Sequence, residues 1–422
     1  MCISGDDIMK VLIIGSGGRE HALAWKVSQN AEVTKIYCAP GNGGTALENK
    51  CENINITEIK DLVQFAKNEN IHLTIVGPEE PLTKGIVDEF KKEKLKIFGP
   101  DKNSARLEGS KVFSKNFMKK YGVKTASYES FNNAHNALLY IESCEYPIVI
   151  KADGLAAGKG VVICQSKKEA KETIDSFMVS DIFHGAGSEI VIEEFIEGVE
   201  ASILSITDGQ TIIPFISAKD HKQIYEGGLG PNTGGMGVIA PNPYVDEEVM
   251  KAFYKEILLP TMKGIQGEDM DYKGIIFFGI MISPKGVYLL EYNVRMGDPE
   301  TQALMCLLET DIIDMINHAI DEDLEGYEIK WKNLYSCSVI AASGGYPGNF
   351  KRGFEINIKS HKGKVFISGA EVDEDKLITS GGRVLSITTT GKGVGEARTA
   401  AYEALNSITF NNIYFRKDIG IV

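Results

Sequence analysis

The chain has 422 residues, too many for one hydrophobic core, so two to four domains are expected. Apolar residues make up 43% and charged residues 24%, an ordinary composition for a globular chain, and a formal charge of −13 argues against a broad nucleic-acid surface. The longest apolar run, Gly274 to Ile282, is too short to span a membrane, and no charged-then-apolar leader opens the chain, so a cytoplasmic location is expected.

"MCISGDDI" reads as a polar tail before the fold begins at Met9. From there to residue 107, short apolar strands ("KVLIIG", "KIYCAPG", "LTIVGP", "KIFGP") alternate with amphipathic stretches. Such alternation predicts a doubly wound parallel sheet, with ligands at the Gly- and Pro-bearing carboxyl ends of its strands. "GSKVFSKNFMKKYG" predicts a helix that opens a central domain over 108–325, with a lid subdomain over about 122–192. Ala201 to Tyr292 reads as strand-rich, with a glycine-rich insert from Tyr225 to Val238. Residues 326–422 read as mostly strands closed by one helix, "VGEARTAAYEALNSI", a small mixed α/β domain. The fold class is therefore multidomain α/β and α+β.

The seven cysteines include no CxxC pair and read as free thiols of a reducing compartment. The seven histidines form no HxxxH or HxH pair, so no zinc site is expected.

"GSGGREHA" (Gly15 to Ala22) joins the first strand to the first helix, where backbone N–H groups bind anions. Glu20 stands where a dinucleotide fingerprint wants its third glycine, and "IYCAPGN" lacks the ribose-binding acid. A smaller phosphate ligand fits better; the alternative is a turn shaped only for tight packing. "GPEEPLTKG" ends a later strand in the same way. Its Glu79 and Glu80 suit sugar hydroxyls or, more simply, the first turn of a helix.

"IKADGLAAGKG" (Ile150 to Gly160) resembles a phosphate loop but not the usual one. Only three residues separate Gly154 from Gly158, Gly160 follows Lys159, and "VVIC" then reads as a strand. Lys111 and Lys151 supply point charges for phosphate oxygens, and the glycines let backbone N–H groups approach them. In "IVIEEFIEGVEAS", Glu193 and Phe195 could offer backbone groups to an adenine edge, and Glu200 could hold ribose hydroxyls. "YLLEYNVRMGDPETQ" ends a strand with Glu291, Asn293 and Arg295, which alternation places on one face. A carboxylate and an amide oxygen there suit Mg²⁺, and Arg295 suits a transferring phosphoryl group. The plainer alternative is the solvated face of an edge strand.

The lysines, glycine lid, acidic hinge and terminal Glu-x-Asn-x-Arg together resemble the ATP-grasp ligases. The ordered set "GSGGREHA", "GPEEPL", "LEGSK", "KADGLAAGKGV", "AKDHK", "GPNTGGMG" and "RMGDPETQ" is similar to the purine-biosynthetic branch that joins glycine to 5-phosphoribosylamine. The likeness spans nearly the whole chain from Met9. It implies ATP and Mg²⁺ or Mn²⁺, glycine and 5-phosphoribosylamine as small-molecule partners, a glycyl phosphate intermediate, and a monomer or weak homo-oligomer without nucleic-acid or membrane partners. It further implies that Lys111, Lys151, Gly154, Gly158, Lys159, Gly160, Glu193, Phe195 and Glu200 bind ATP. Glu291 and Asn293 would hold the metal. Arg295 would steady the phosphoryl group or the glycine carboxylate, and Asp220 would take the glycine amine. Gly17, Gly18, Arg19 and Glu79 would hold the phosphoribosyl group, with Arg383 from the C-terminal domain. Two departures stand out. Met296 replaces a more usual Phe, with little effect expected from so tolerant an apolar filler. The strand "GIIFFGIMI" lacks the further metal carboxylate many such ligases carry, which puts a second ion in doubt. The rivals are a sister ligase using another acid, an NAD(P) oxidoreductase resting on "GSGG" alone, and a nucleotide sensor without turnover.

Overall fold

The computed structural model describes residues 9–154, 160–183 and 185–422, so the expectations for Gly158 and Lys159 fall outside the described residues. Five strands, Met9–Gly15, Val33–Pro40, Cys51–Asn53, Leu73–Val76 and Ile97–Pro100, pair in parallel. The Met9–Gly15 strand is central, with Val33–Pro40 on one side and Leu73–Val76 on the other. Chain order reverses at this point, so the crevice of the doubly wound sheet opens at the Gly15–Gly17 and Gly77 ends.

The sheet does not stop at Ile97–Pro100. That strand pairs antiparallel with Tyr272–Ser283, which carries Val199–Thr207 and then Ile212–Pro214 on one side and the hairpin partner Gly286–Asn293. One nine-stranded sheet thus runs from the N-terminal segment into the central one. The sequence carries no sign of this, because the join rests on two backbone pairs, Tyr272 with Pro100 and Lys273 with Gly99.

A separate four-stranded antiparallel sheet lies in the stretch expected to form the lid: Tyr128–Phe131, Ile190–Glu194, Ile148–Ala152 and Val161–Cys164. It has its own core of Ile148, Ile150, Ile174, Phe177 and Ile192. The glycine-rich stretch joins two neighbouring antiparallel strands of this sheet, as a lid loop must and a P-loop does not. The third sheet runs Lys219–Asp220, Gly237–Ala240, Tyr335–Ser343, Arg383–Gly391, Lys364–Ile367. Its first two strands come from the central segment. "AKDHK" and "GPNTGGMG" are therefore positioned by the C-terminal sheet.

The strand-rich reading of Ala201 to Tyr292 needs one correction. Glu247–Phe253 and Leu259–Gly267 are helices, joined through a wider turn at Tyr254–Leu258. Asp246 caps the first by accepting from Val249 N, and Glu247 and Glu248 favour its positive end. No helix among the described residues is long and apolar enough to cross a membrane.

The helix Lys111–Tyr121 carries Lys111, the lysine expected to meet phosphate, and its seat is tight. Ser110 caps it through Phe113 N, and Phe117 packs edge-on against Tyr292 at 6.1 Å. On the other side Phe117 lies over Gly264, where an added Cβ would stand 2.2 Å from the ring. Gly264→Ala is expected to cost about 1–3 kcal/mol by overpacking, read in the denaturant midpoint. It should also weaken use of the nucleotide that Lys111 is expected to bind, because Lys111 moves with the helix. An unchanged midpoint would contradict this seat.

Candidate active site

The strand Gly286–Asn293 is the post on which the site is built. Its pairing slips opposite Gly279 and Ile280: Ile280 faces Leu289, Gly279 faces Glu291, and Leu290 is skipped. The freed Leu290 carbonyl accepts from Lys151 Nζ at 3.2 Å. Because Gly279 faces Glu291, the neighbouring strand adds no carboxylate there. Burial pushes the Glu291 carboxyl up, but Lys222, Lys111, Lys151 and Arg295 outweigh it and hold the group below its ordinary range. Asn293 Oδ1 accepts from Arg295 Nη2 at 3.3 Å. Arg295 also reaches Glu79 (Nε to Oε2, 3.1 Å) and Glu108 (Nη2 to Oε1, 2.8 Å), while Glu108 Oε2 accepts from Val294 N at 2.7 Å. Arg295 is therefore a brace between the "GPEEPL" turn, the "LEGSK" turn and the end of the strand.

The lid side meets this post through charge. Glu193 lies within Ile190–Glu194, its backbone paired between Tyr128 and Val149. Its carboxylate, rather than its backbone, is what faces the site, and it is met by Lys151 (2.9 Å) and Lys115 (3.1 Å). Phe195 follows the strand with its ring part-exposed. Gly154 N donates to Ala186 O and Gly160 O accepts from Ala152 N, so both ends of the glycine stretch are anchored in the lid. Asp153 accepts from Val112 N at 2.7 Å and from Ser110 Oγ, which ties the loop's entry to the start of the Lys111 helix.

Glu200 Oε2 lies 3.1 Å from Lys222 Nζ. Glu200, Glu291 and Asp220 together raise the Lys222 ammonium above its ordinary range against the effect of burial. In "AKDHK", Lys222 joins the expected Asp220 at the site, and its place two residues further on was legible. Alternation puts residues 220 and 222 on one face of an extended segment, and that signal was available. Asp220 Oδ1 is buried without a hydrogen-bond partner. Burial and the nearby Glu300 push its carboxyl well up, against Lys222 and Arg383. Gly235, at φ +110°, lets the second glycine loop close over it: a Cβ there would stand 2.5 Å from Pro299 Cδ and 2.6 Å from Asp220 Oδ1. Arg383 clamps the same loop, donating to Gly234 O and to Asp298 O (2.8 Å) and lying 3.4 Å from Asp298 Oδ1.

The first glycine turn is already charged from within. Glu20 Oε2 accepts from Gly17 N at 2.5 Å, and an added Cβ on Gly77 would come within 1.9 Å of its other oxygen. The side chain that spoils a dinucleotide fingerprint thus fills the crevice itself. Arg19 is buried, donating to Glu20 Oε1 at 2.5 Å and Met296 O at 3.1 Å, while its backbone N–H reaches Asp298 Oδ2 at 3.3 Å. At Gly18 a Cβ would meet Ser368 Oγ at 2.4 Å and Gln302 Nε2 at 2.5 Å. Glu79, its carboxyl pushed up by burial but held lower by Arg295 and Arg19, faces the same cleft.

A separate antiparallel sheet whose Lys151 reaches a platform strand ending in Glu-x-Asn-x-Arg, beside a doubly wound sheet, is the arrangement of an ATP-grasp ligase. Family models agree segment by segment: the phosphoribosylglycinamide synthetase N domain over residues 9–108, its ATP-grasp (A) domain over 109–301 and its C domain over 336–422. A phosphoribosylamine–glycine ligase of Clostridium acetobutylicum is 60% identical over 413 residues, covering 98% of this chain and 99% of that one. The crystal structure of the phosphoribosylamine–glycine ligase of Thermotoga maritima superposes with a TM-score of 0.84 at 34% identity, over 97% of this chain and 100% of that one. A biotin carboxylase from Campylobacter jejuni, at 15% identity and a TM-score of 0.72 over 96% of this chain and 93% of that one, shares the fold alone. The chain belongs to the phosphoribosylglycinamide synthetase family. It is an ATP-dependent ligase that joins glycine to 5-phosphoribosylamine, forming glycinamide ribonucleotide in purine biosynthesis.

His221, between the two site residues of "AKDHK", is buried, with Nδ1 3.1 Å from Gly237 O. Burial, with Arg416 and Lys219 nearby, lowers its pKa to about 4. An unfolded histidine titrates near 6.5, so the unfolded chain takes up a proton that the folded one refuses as pH falls from 6.5 towards 4. Stability is expected to drop over that window by up to about 3 kcal/mol from this group. Denaturant melts of His221→Gln should be flatter there than wild type; parallel curves would contradict the assignment.

Proposed function

We propose the following division of labour for the reaction. ATP lies between lid and platform. Lys111, Lys151 and Lys222 cancel its phosphate charge, the backbone after Glu194 towards Phe195 meets the adenine edge, and Glu200 holds the ribose once Lys222 turns to the phosphates. The four cations near the half-buried Glu291 carboxylate, which sits on the platform strand two residues before Asn293, are the observation that carries this reading. An ionised carboxylate among four cations, next to an amide oxygen, is a donor set for a hard divalent ion shared with phosphate. No group of three His, Cys, Asp or Glu side chains gathers among the described residues, so the phosphates would complete the coordination of Mg²⁺ or Mn²⁺ held by Glu291 and Asn293. Such an ion, when bound, neutralises phosphate charge.

Asp220 takes the glycine ammonium. A buried carboxylate oxygen without a donor is costly, and an ammonium is the partner that relieves it. Glycine so held presents its carboxylate to the γ-phosphate. Arg295, fixed by Glu79 and Glu108, faces the charge of the moving phosphoryl group. The carboxylate oxygen bonds to phosphorus as the bond to ADP breaks, giving glycyl phosphate. The sugar amine then attacks the acyl carbon and phosphate departs. The two glycine-rich loops keep water from the anhydride in the interval. The crevice of Gly17, Gly18, Arg19 and Glu79 receives the phosphoribosyl group, with Arg383 closing it from the C-terminal side. For Gly17 and Arg19 this requires a substrate to exchange with Glu20 and Asp298.

Phosphate release from MgATP is expected to need both glycine and 5-phosphoribosylamine and to fall roughly a hundredfold or more in Glu291→Ala. Release supported by formate or bicarbonate in place of glycine would overturn the division of labour. Asp220→Asn separates the glycine role: its KM for glycine should rise with little change for ATP. Because the folded carboxyl titrates above the unfolded one, ionising Asp220 costs stability at neutral pH. The amide variant should therefore melt higher than wild type without ligands. A lower melting temperature with an unchanged glycine KM would sink the role.

A further inference from the structure

Lys115 has no part in the division of labour above, yet it is among the most buried charges in the molecule. It lies one turn after Lys111 on the helix Lys111–Tyr121, and its side chain is 3% exposed. Its Nζ donates to Thr125 Oγ1 at 2.6 Å, and Thr125 Oγ1 donates to Leu289 O at 2.6 Å. It lies 3.1 Å from Glu193 Oε2, whose side chain is 2% exposed. Lys115 therefore touches the helix, the entry to the lid and the central lid strand, and reaches the platform strand through Thr125.

Glu193 is shared. Lys151 approaches its other oxygen at 2.9 Å, but that oxygen accepts no well-aligned hydrogen bond. Lys151 spends a donor on Leu290 O instead. The cluster thus has two buried ammonium groups and one carboxylate. Lys115 is tied into the platform through the Thr125 hydroxyl, whereas Lys151, which donates directly to Leu290 O, borders the glycine loop. Burial lowers Lys115 to about 8, with Glu193 opposing the fall, which leaves it largely charged at neutral pH.

We propose that Lys115 is a positioning residue for ATP: it is the permanent counter-ion of Glu193, and this releases Lys151 to the nucleotide's phosphates. The physical reason is the cost of an unpaired buried charge. When phosphates draw Lys151 away, Glu193 still has a cation. Without Lys115, the same move would strand a buried carboxylate, so Glu193 would hold Lys151 back and compete with ATP. The inference rests on the reading that Lys151 contacts the phosphates.

The test is MgATP binding by calorimetry, with steady-state kinetics, on the full chain and four variants. Lys115→Met should weaken ATP at least tenfold in Kd and KM, with kcat and the KM for glycine changed much less. Lys115→Arg should keep most of the affinity. The decisive variant is Lys115→Met with Glu193→Gln, which removes the competitor together with the counter-ion; its ATP affinity should recover to within about threefold of wild type. A merely structural lysine predicts the opposite, a double variant as weak as Lys115→Met or weaker, and that result would overturn the proposal. So would full ATP affinity in Lys115→Met. Lys151→Met separates the two layers. If it leaves ATP binding intact, the phosphate role of Lys151 is wrong. If it weakens binding while Lys115→Met does not, only the role of Lys115 falls. Should Lys115→Met fail to fold, the double variant and Lys115→Arg still decide.

Discussion

The structure depends on one constraint: a charge removed from water must be paired. The cleft gathers Arg19, Lys111, Lys115, Lys151, Lys222, Arg295 and Arg383 against Glu20, Glu79, Glu108, Glu193, Glu200, Glu291 and Asp298. Nearly every one meets a partner inside the protein. Glu20 neutralises the first helix terminus, Glu193 holds two lysines, and Glu79 and Glu108 hold Arg295. In the proposed division of labour, substrates therefore exchange with internal partners rather than enter an open field of charge. Among the described residues, Lys111 and Glu291 meet no direct side-chain partner, and Asp220 keeps an orphaned oxygen, which in the same proposal is where a cationic substrate group adds a partner instead of replacing one.

This pairing also explains how three segments far apart in sequence make one site. Arg295 joins the turn at Glu79 to the turn at Glu108. Asp298 joins Arg19 at one end of the chain to Arg383 near the other. Beneath these ion pairs, the backbone does the same work. The doubly wound sheet runs on into the platform strands, and the C-terminal sheet takes in Lys219–Asp220 and Gly237–Ala240. Asp220 and the second glycine loop are thus fixed by the C-terminal sheet, and Lys151, Glu193 and Glu291 by the four-stranded sheet and the platform strands.

Local regularities were legible in the sequence. Alternation put Glu291, Asn293 and Arg295 on one face, and strand signals on both sides of the glycine stretch separated a lid loop from a P-loop. What escaped was set by long-range pairing. Nothing local marks Glu108 as the partner of Arg295, or Glu193 as a side chain turned towards two lysines rather than a backbone offered to adenine. Glu20 was seen as a missing glycine, because only the folded crevice shows its carboxylate lying against Gly77. Lys222 and the helices at Glu247–Phe253 and Leu259–Gly267 were readable in principle, from alternation and from an Asp cap followed by Glu-Glu.

We propose that nucleotide binding is an exchange of ion pairs within a preassembled frame. The most direct test is a crystal structure with Mg²⁺ and a non-hydrolysable ATP analogue. Lys151 should then contact phosphate while Glu193 keeps Lys115, Lys222 should have left Glu200, the ion should sit on Glu291 and Asn293, and the Arg295 brace to Glu79 and Glu108 should be unchanged. A nucleotide bound with Lys151–Glu193 and Lys222–Glu200 both intact, or with the ion away from Glu291, would contradict it.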